Sequence, residues 1–169
     1  MELEEIYRNH KSLVYNLALQ YIQNAEDAEE ITQDVFVSIH FSVSKFNEQS
    51  KIATWIYRIT INKSLDFIKA KNRKKRLGIF ASLFYDNSNE LKNDLAVFNH
   101  PGVLLESKEE LEKIFKHINQ LPKNQKTVII LNKIEQKTIQ ETAEIMNASY
   151  KATESLIQRA KNNLLKKLK

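Results

Sequence analysis

Cysteine is absent from the 169 residues, which excludes disulfides and thiolate zinc sites together. Glycine and proline number two each. So few turn formers cannot build the many tight hairpins of an all-β fold, and the Leu, Ile, Lys, Glu, Asn and Gln that dominate instead favour helix. Histidines are few and scattered, at His10, His40, His100 and His117. No HExxH spacing or carboxylate cluster with metal-ligand spacing occurs, so neither a metal, a cofactor nor enzyme chemistry is expected. No apolar run approaches the length of a membrane span. The N-terminal MELEEIYRNHK is acidic, whereas a signal peptide would be basic and then apolar. A cytoplasmic protein is the expectation.

What is present is a sharp charge contrast. The chain carries a net charge of +5, but residues 1–50 sum to −6 and residues 51–76 to +8. An acidic block followed by a concentrated basic one suggests two surfaces for two partners, one of them a polyanion. Hydrophobic residues make up 42%, enough for a packed core.

The basic block belongs to the stretch Ser50–Arg76, around which the chain is organised. Ile52, Trp55, Ile56 and Ile59 form an apolar face at helical spacing. Lys63, Lys69, Lys71, Arg73, Lys74, Lys75 and Arg76 follow. Rings that can stack on bases and cations that can meet phosphates make a nucleic-acid element; the same pattern also fits a core helix with a solvated basic end.

Before it, Ile6, Leu13, Leu17 and Tyr21 mark an amphipathic helix from Leu3 to about Ile22. Asn24 reads as the N-cap of a second helix, about Ala25 to His40, with Glu26 and Asp27 suited to its positive end. Ala28, Ile31, Val35 and Ile39 are its apolar stripe. Glu26, Glu29, Glu30, Gln33 and Asp34 form an acidic face, which is either solvated or a docking surface for a basic partner. Phe41–Gln49 reads as a loop, and Ser50 as a possible N-cap.

Beyond Arg76 both glycines, Gly78 and Gly102, and one proline, Pro101, fall within residues 77–102 among Asn and Asp. This is the candidate linker, although Leu77, Ile79, Phe80, Leu83, Phe84 and Tyr85 make part of it apolar. Leu111, Ile114, Phe115 and Ile118 then mark a helix from about Leu104 to Gln120. Leu121-Pro122 interrupts it and starts another, whose apolar face holds Val128, Ile129, Leu131 and Ile134. Glu135-Gln136-Lys137 is a turn. From Thr138 the chain reads helix, turn, helix. Ile139, Thr142, Ala143 and Met146 face inward in the first helix, and Thr153, Ile157, Ala160, Leu164 and Leu168 in the second. Asn147 suits a left-handed C-terminal position and Ser149 an N-cap. A helix-turn-helix fits this pattern, its second helix presenting Tyr150, Lys151, Glu154, Ser155, Gln158 and Arg159 outward.

Taken together, the chain resembles an extracytoplasmic-function (ECF) sigma factor, of the sigma-70 family of bacterial RNA polymerase. Ala28–Phe36 (AEEITQDVF) looks like region 2.2 of that family, and Trp55–Asp66 (WIYRITINKSLD) like regions 2.3 and 2.4. Leu121-Pro122 with Gln125-Lys126 resembles the opening of region 4, and Thr138–Leu168 its helix-turn-helix. Departures fall at Gln136 and Asn147, where the family often has glycine, and at Glu154 and Leu156, where it commonly has basic residues.

The resemblance implies an all-α chain of two small helical domains joined by a flexible linker: a sigma-2 domain over residues 1–76, a linker over 77–104 and a sigma-4 domain over 105–169. It implies core polymerase docking on the β′ clamp helices through Glu30, Gln33, Asp34 and Val37, with a second contact to the β flap. Recognition and opening of the −10 element would fall to Lys45, Phe46, Asn47, Lys51, Tyr57, Arg58, Asn62, Lys63, Lys69 and Arg73, with Trp55 in support. Reading of the −35 element would fall to Ser149, Tyr150, Lys151, Glu154, Ser155, Gln158 and Arg159. An anti-sigma factor is the further partner implied. Without the resemblance, a stand-alone helix-turn-helix regulator fits the last third of the chain, but leaves the acidic block without a role.

Overall fold

The computed structural model describes residues 3–46, 51–84 and 105–168; side chains at 45, 77–84, 105–109 and 168 lie outside the description. Every regular element among them is helical. Helix α1 spans Leu3–Ile22, α2 Ala25–Ser42 and α3 Ile52–Phe84. Helix α4 spans Leu105–Asn119 and α5 Lys123–Ile129, which widens into a π-helical turn at Ile130–Ile134; α6 spans Ile139–Met146 and α7 Tyr150–Leu168.

The first three helices form a bundle. Ile6, Val14 and Ala18 of α1 meet Ala28, Ile31, Val35, Phe36 and Ile39 of α2, and Ile56 of α3 completes the cluster. Gln23, at φ 55°, turns the chain sharply after α1. Asn24 then caps α2, its side chain accepting a hydrogen bond from the Asp27 N–H at 2.9 Å. Thr60 and Ser64 sit fully buried in α3. Their hydroxyls donate back to the carbonyls of Ile56 and Thr60, so small side chains allow close helix packing without an unpaired polar group.

Two boundaries differ from the expectation. Helix α2 does not stop at His40: the Ser42 hydroxyl bonds the Ser38 carbonyl and the Val43 N–H the Ile39 carbonyl, carrying the helix through Phe41. Helix α3 does not stop at Arg76 but runs to Phe84. Between Leu77 and Phe84 only Gly78 is a poor helix former, at a cost of about 1 kcal/mol, so the first part of the expected linker is helix. The rest of it, 85–104, and the proposed cap Ser50 lie outside the described residues.

In the second half, α4, α5 and α7 enclose Phe115, Ile118, Leu121, Val128, Ile129, Ile157 and Ala160. An apolar groove of about 620 Å³ lies between Leu111, Ile114, Ile118 and Leu164, Leu165. Thr138 and Glu141 form a capping box at the start of α6, and Ser149 caps α7 by accepting from the Ala152 N–H at 3.2 Å. Gln136 and Asn147 both adopt positive φ, 53° and 52°. These are two of the positions where the resemblance leads one to expect glycine, and the left-handed backbone is the reason a residue without Cβ suits them.

The two halves are joined into one core. Leu17 and Tyr21 of α1, with Tyr57, Ile61 and Leu65 of α3, belong to the same buried cluster as Val128, Leu131, Ile145 and Ile157. Lys126 sits in this junction, only 5% exposed. Its ammonium donates to the Tyr21 carbonyl at 2.9 Å and lies 5.1 Å from the Tyr21 ring. Burial pushes the Lys126 pKa down to about 8. The Tyr21 hydroxyl donates to Thr127 Oγ1 at 2.9 Å, and burial pushes its pKa up. The cleft that Lys126 and Tyr21 line also holds Lys71, whose charge is met by Asp27 at 2.6 Å.

This predicts a pH dependence of the packed form. Below about pH 8 Lys126 is protonated whether buried or free, and the full cost of burying the charge applies. Above it the buried amine releases its proton while a free one does not, so stability rises with pH. The gain continues towards pH 10, where ionisation of Tyr21 and Tyr57 in the unpacked form begins to oppose it. Urea denaturation between pH 7 and pH 10 should show the rise, and Lys126→Met should flatten it.

Candidate nucleic-acid interface

Helix α2 presents an uninterrupted exposed strip. Glu30, Gln33, Asp34 and Val37 follow one another at helical spacing and are all exposed, Val37 at 55%. Phe41 extends the strip by one more turn and is 75% exposed. Reading Phe41–Gln49 as a loop missed this residue; the spacing Asp34, Val37, Phe41 was the available signal. A large exposed ring at the end of an acidic strip suits a partner that is apolar and basic in turn.

Helix α3 divides its expected contacts. Trp55 is half-buried, and Phe46 packs on it with ring centres 5.0 Å apart at 36°. The two rings therefore form one platform at the start of α3. Lys51, Asn62, Lys69 and Arg73 are exposed and Lys63 is half-buried. Lys69 pairs loosely with Asp66 at 3.5 Å, with both side chains mostly in solvent, so this pair holds little charge back. Asn47 and the side chain of Lys45 lie outside the described residues.

Tyr57 and Arg58 point elsewhere. Tyr57 is 3% exposed, and its hydroxyl donates to a Glu135 carboxylate oxygen at 2.6 Å. Burial, and then Glu135 beside it, hold the Tyr57 pKa above the usual phenol value. Arg58 is half-buried; its Nε donates to the Ile145 carbonyl at 3.1 Å and an Nη to the Glu144 carbonyl. Both carbonyls lie in the last turn of α6, where the helix dipole is negative; the Glu144 carbonyl also accepts from the Asn147 N–H at 3.2 Å. Arg58 and Asn62 thus line a cleft of about 250 Å³ with Lys123, Asn124, Met146 and Asn147 of the second half.

The outward face of α7 is open. Tyr150, Lys151, Glu154, Ser155, Gln158 and Arg159 are all exposed, Tyr150 at 48%. Arg159 Nε reaches the Ser155 carbonyl at 3.4 Å, and Gln158 the Asn162 side chain at 3.3 Å. These are weak intrahelical contacts that a base edge or phosphate could replace. Ser149 is occupied as the helix cap.

The open α7 face, the exposed strip of α2 and the aromatic platform of α3 lie on the segments that match known regions. Residues 6–74 match the model of Sigma-70 region 2, and residues 111–164 that of Sigma-70, region 4. The chain is 29% identical over 167 residues to the ECF RNA polymerase sigma factor SigW of Bacillus subtilis, covering 95% of this chain and 85% of that protein. It is 29% identical over 163 residues to the ECF RNA polymerase sigma-E factor of Haemophilus influenzae, covering 94% and 83%. Among solved structures it resembles CnrH in complex with the cytosolic domain of CnrY, with a TM-score of 0.67 and 20% identity over 98% of this chain and 86% of that one. It also resembles the sigma factor RpoE in complex with the anti-sigma factor NepR from Bartonella quintana, with a TM-score of 0.66 and 19% identity over 98% and 95%. With the two halves matching the two conserved regions in order, the chain belongs to the sigma-70 family, as an ECF sigma factor that directs RNA polymerase to promoters.

Proposed function

We propose that the labour of promoter recognition is divided along the chain. Residues 1–76 dock on core polymerase and open the −10 element, 77–104 connect, and 105–169 read the −35 element. The observation that carries this division is that α2 and α7 leave their polar faces exposed at opposite parts of the sequence while their apolar faces are buried. Glu30, Gln33, Asp34 and Val37 meet the β′ clamp helices, with Phe41 as an added anchor, and the second half meets the β flap.

The Phe46–Trp55 platform receives an unpaired base. Lys45, Asn47, Lys51, Asn62, Lys63, Lys69 and Arg73 hold the adjoining backbone, with Tyr57 and Arg58 joining them once freed from the second half. Opening the duplex needs no hydrolysis, because tighter binding of the unpaired strand shifts the equilibrium towards it. The chain supplies no bond-making chemistry of its own and works where the polymerase works, in the cytoplasm. No helix among the described residues is long and apolar enough to cross a membrane. The structural neighbours were solved with protein partners, CnrH with the cytosolic domain of CnrY and RpoE with the anti-sigma factor NepR, and an anti-sigma factor is the proposed regulator here.

In vitro transcription with core polymerase on a genomic template, with start sites mapped, tests the whole reading; a lack of promoter-dependent starts would reject it. Reversing Glu30 and Asp34 to Lys should weaken core binding about tenfold or more while leaving the circular dichroism unchanged, because both side chains are exposed. Arg159→Ala should cost about 1–3 kcal/mol in binding −35 duplex DNA, measured by anisotropy against a scrambled duplex. If the exposed cations from Lys69 to Arg76 make about six phosphate contacts, log affinity should fall against log salt with a slope of roughly −4 to −5. A flat salt titration would remove this segment from the interface.

A further inference from the structure

The cleft that Lys126 and Tyr21 line has a volume of about 390 Å³, within the range of roughly 300–1,000 Å³ usual for small-molecule sites. Its residues divide by depth. Lys126 is buried, and so is Gln23 Nε2, which has no hydrogen-bond partner. Lys71, Asn72 and Asn119 are exposed and form the mouth. Ile22, Phe67 and Ile68, all half-buried, give the cleft an apolar wall. Among the described residues no carboxylate lines it. Asp27 answers the charge of Lys71, but no ion pair among the described residues reaches Lys126.

Two deep groups thus lack partners in different ways. The Lys126 ammonium has three N–H groups. The Tyr21 carbonyl takes one, and the Tyr21 ring meets the charge at 5.1 Å, but there is no counterion. Buried charges are ordinarily paired; here burial acts unopposed and holds the amine below its usual basicity. Gln23 is fixed by the tight turn after α1, at φ 55°, and its amide has two N–H donors, neither of them used.

We propose that this cleft binds a free phosphate monoester of about mononucleotide size, with its phosphate between Lys126 and Gln23 and its organic body along Ile22, Phe67 and Ile68. A phosphate monoester carries about −1.5 to −2 charges at pH 7 and three strong acceptor oxygens, so one group answers the Lys126 charge and both Gln23 N–H donors. Charge-assisted bonds of this kind are about twice as strong as neutral ones. A bare phosphate leaves most of the volume and the apolar wall unused. The Phe67 ring offers a surface to a base or sugar, and Lys71 Nζ, 5.9 Å from the ring centre, adds a second cation at the mouth. A backbone phosphate of DNA has sugar on both sides and a single charge, which fits poorly to a cation held this deep.

Calorimetric titration of the full-length chain with AMP, in a buffer free of phosphate and sulfate, should show one bound molecule, and AMP should raise the melting temperature. Adenosine and inorganic phosphate each lack half of the contacts and should bind at least about tenfold more weakly. Lys126→Met should weaken AMP binding by about tenfold or more. That variant keeps the buried stem and loses a desolvated charge, so it should fold at least as stably as the wild type, and a melt without AMP checks this. Gln23→Gly suits the positive φ and should weaken AMP by about three- to tenfold. Lys166→Gln removes one charge at an exposed site outside the cleft and should bind AMP as the wild type does. A short single-stranded oligonucleotide without a terminal phosphate should not displace AMP. Undetectable AMP binding at millimolar concentration would overturn the site, as would equal binding of adenosine or of inorganic phosphate. Unchanged affinity in Lys126→Met, or an equal loss in Lys166→Gln, would do the same. Displacement by the oligonucleotide would give the cleft to a nucleic-acid backbone and reject the free monoester.

Discussion

Helix α3 has two apolar partners to satisfy, and the rest of the structure depends on how it does so. Ile56 sits in the first bundle with Ile52, Trp55 and Ile59 packed around it. Tyr57, Ile61 and Leu65 turn the other way, into the core shared with α5, α6 and α7. Burial of side chains of this size stabilises by roughly 1.5–3 kcal/mol each, so neither face can be left in water without a substantial loss. A helix loaded on two sides is held firmly. Its remaining exposed surface, at Asn62, Lys69 and Arg73, is correspondingly well positioned.

The polar chemistry of the junction follows from that packing. Where the second half approaches α1 and α3, it meets helix ends and side chains that need partners. Lys126 takes the Tyr21 carbonyl near the end of α1, Arg58 takes two carbonyls at the end of α6, and Glu135 collects Tyr57 and Gln20. Most of these partners are backbone carbonyls or neutral side chains, so the junction carries directional contacts rather than strong ion pairs. Such an interface specifies one arrangement without making it permanent.

Much of the local structure could be read from the residues. Asn24 and Ser149 cap helices as their side chains suggest, and Asn147 takes the left-handed position. The stripe of α1 and the helix-turn-helix also lie where the periodicity puts them. Other features needed the folded chain. Phe41 looked like part of a loop because Ser42, Ser44 and Asn47 follow it, yet two bonds to the preceding turn keep it helical. Lys126 gave no sign of burial, since a lysine beside Thr127 and Gln125 ordinarily faces water.

What the sequence by itself determined is the set of helices, their apolar faces and the order of the two conserved regions, because periodicity and capping act over a few residues. The second stripe of α3, at Tyr57, Ile61, Leu65 and Ile68, was present in the same letters, spaced for a helix face. Its meaning was not, because an apolar stripe shows that something must cover it and not what does. Only the tertiary structure decided that the cover is the second half of the same chain, and that Tyr57 and Arg58 are engaged there. Those contacts join residues 78 to 87 positions apart, and no local pattern records a pairing made at that distance.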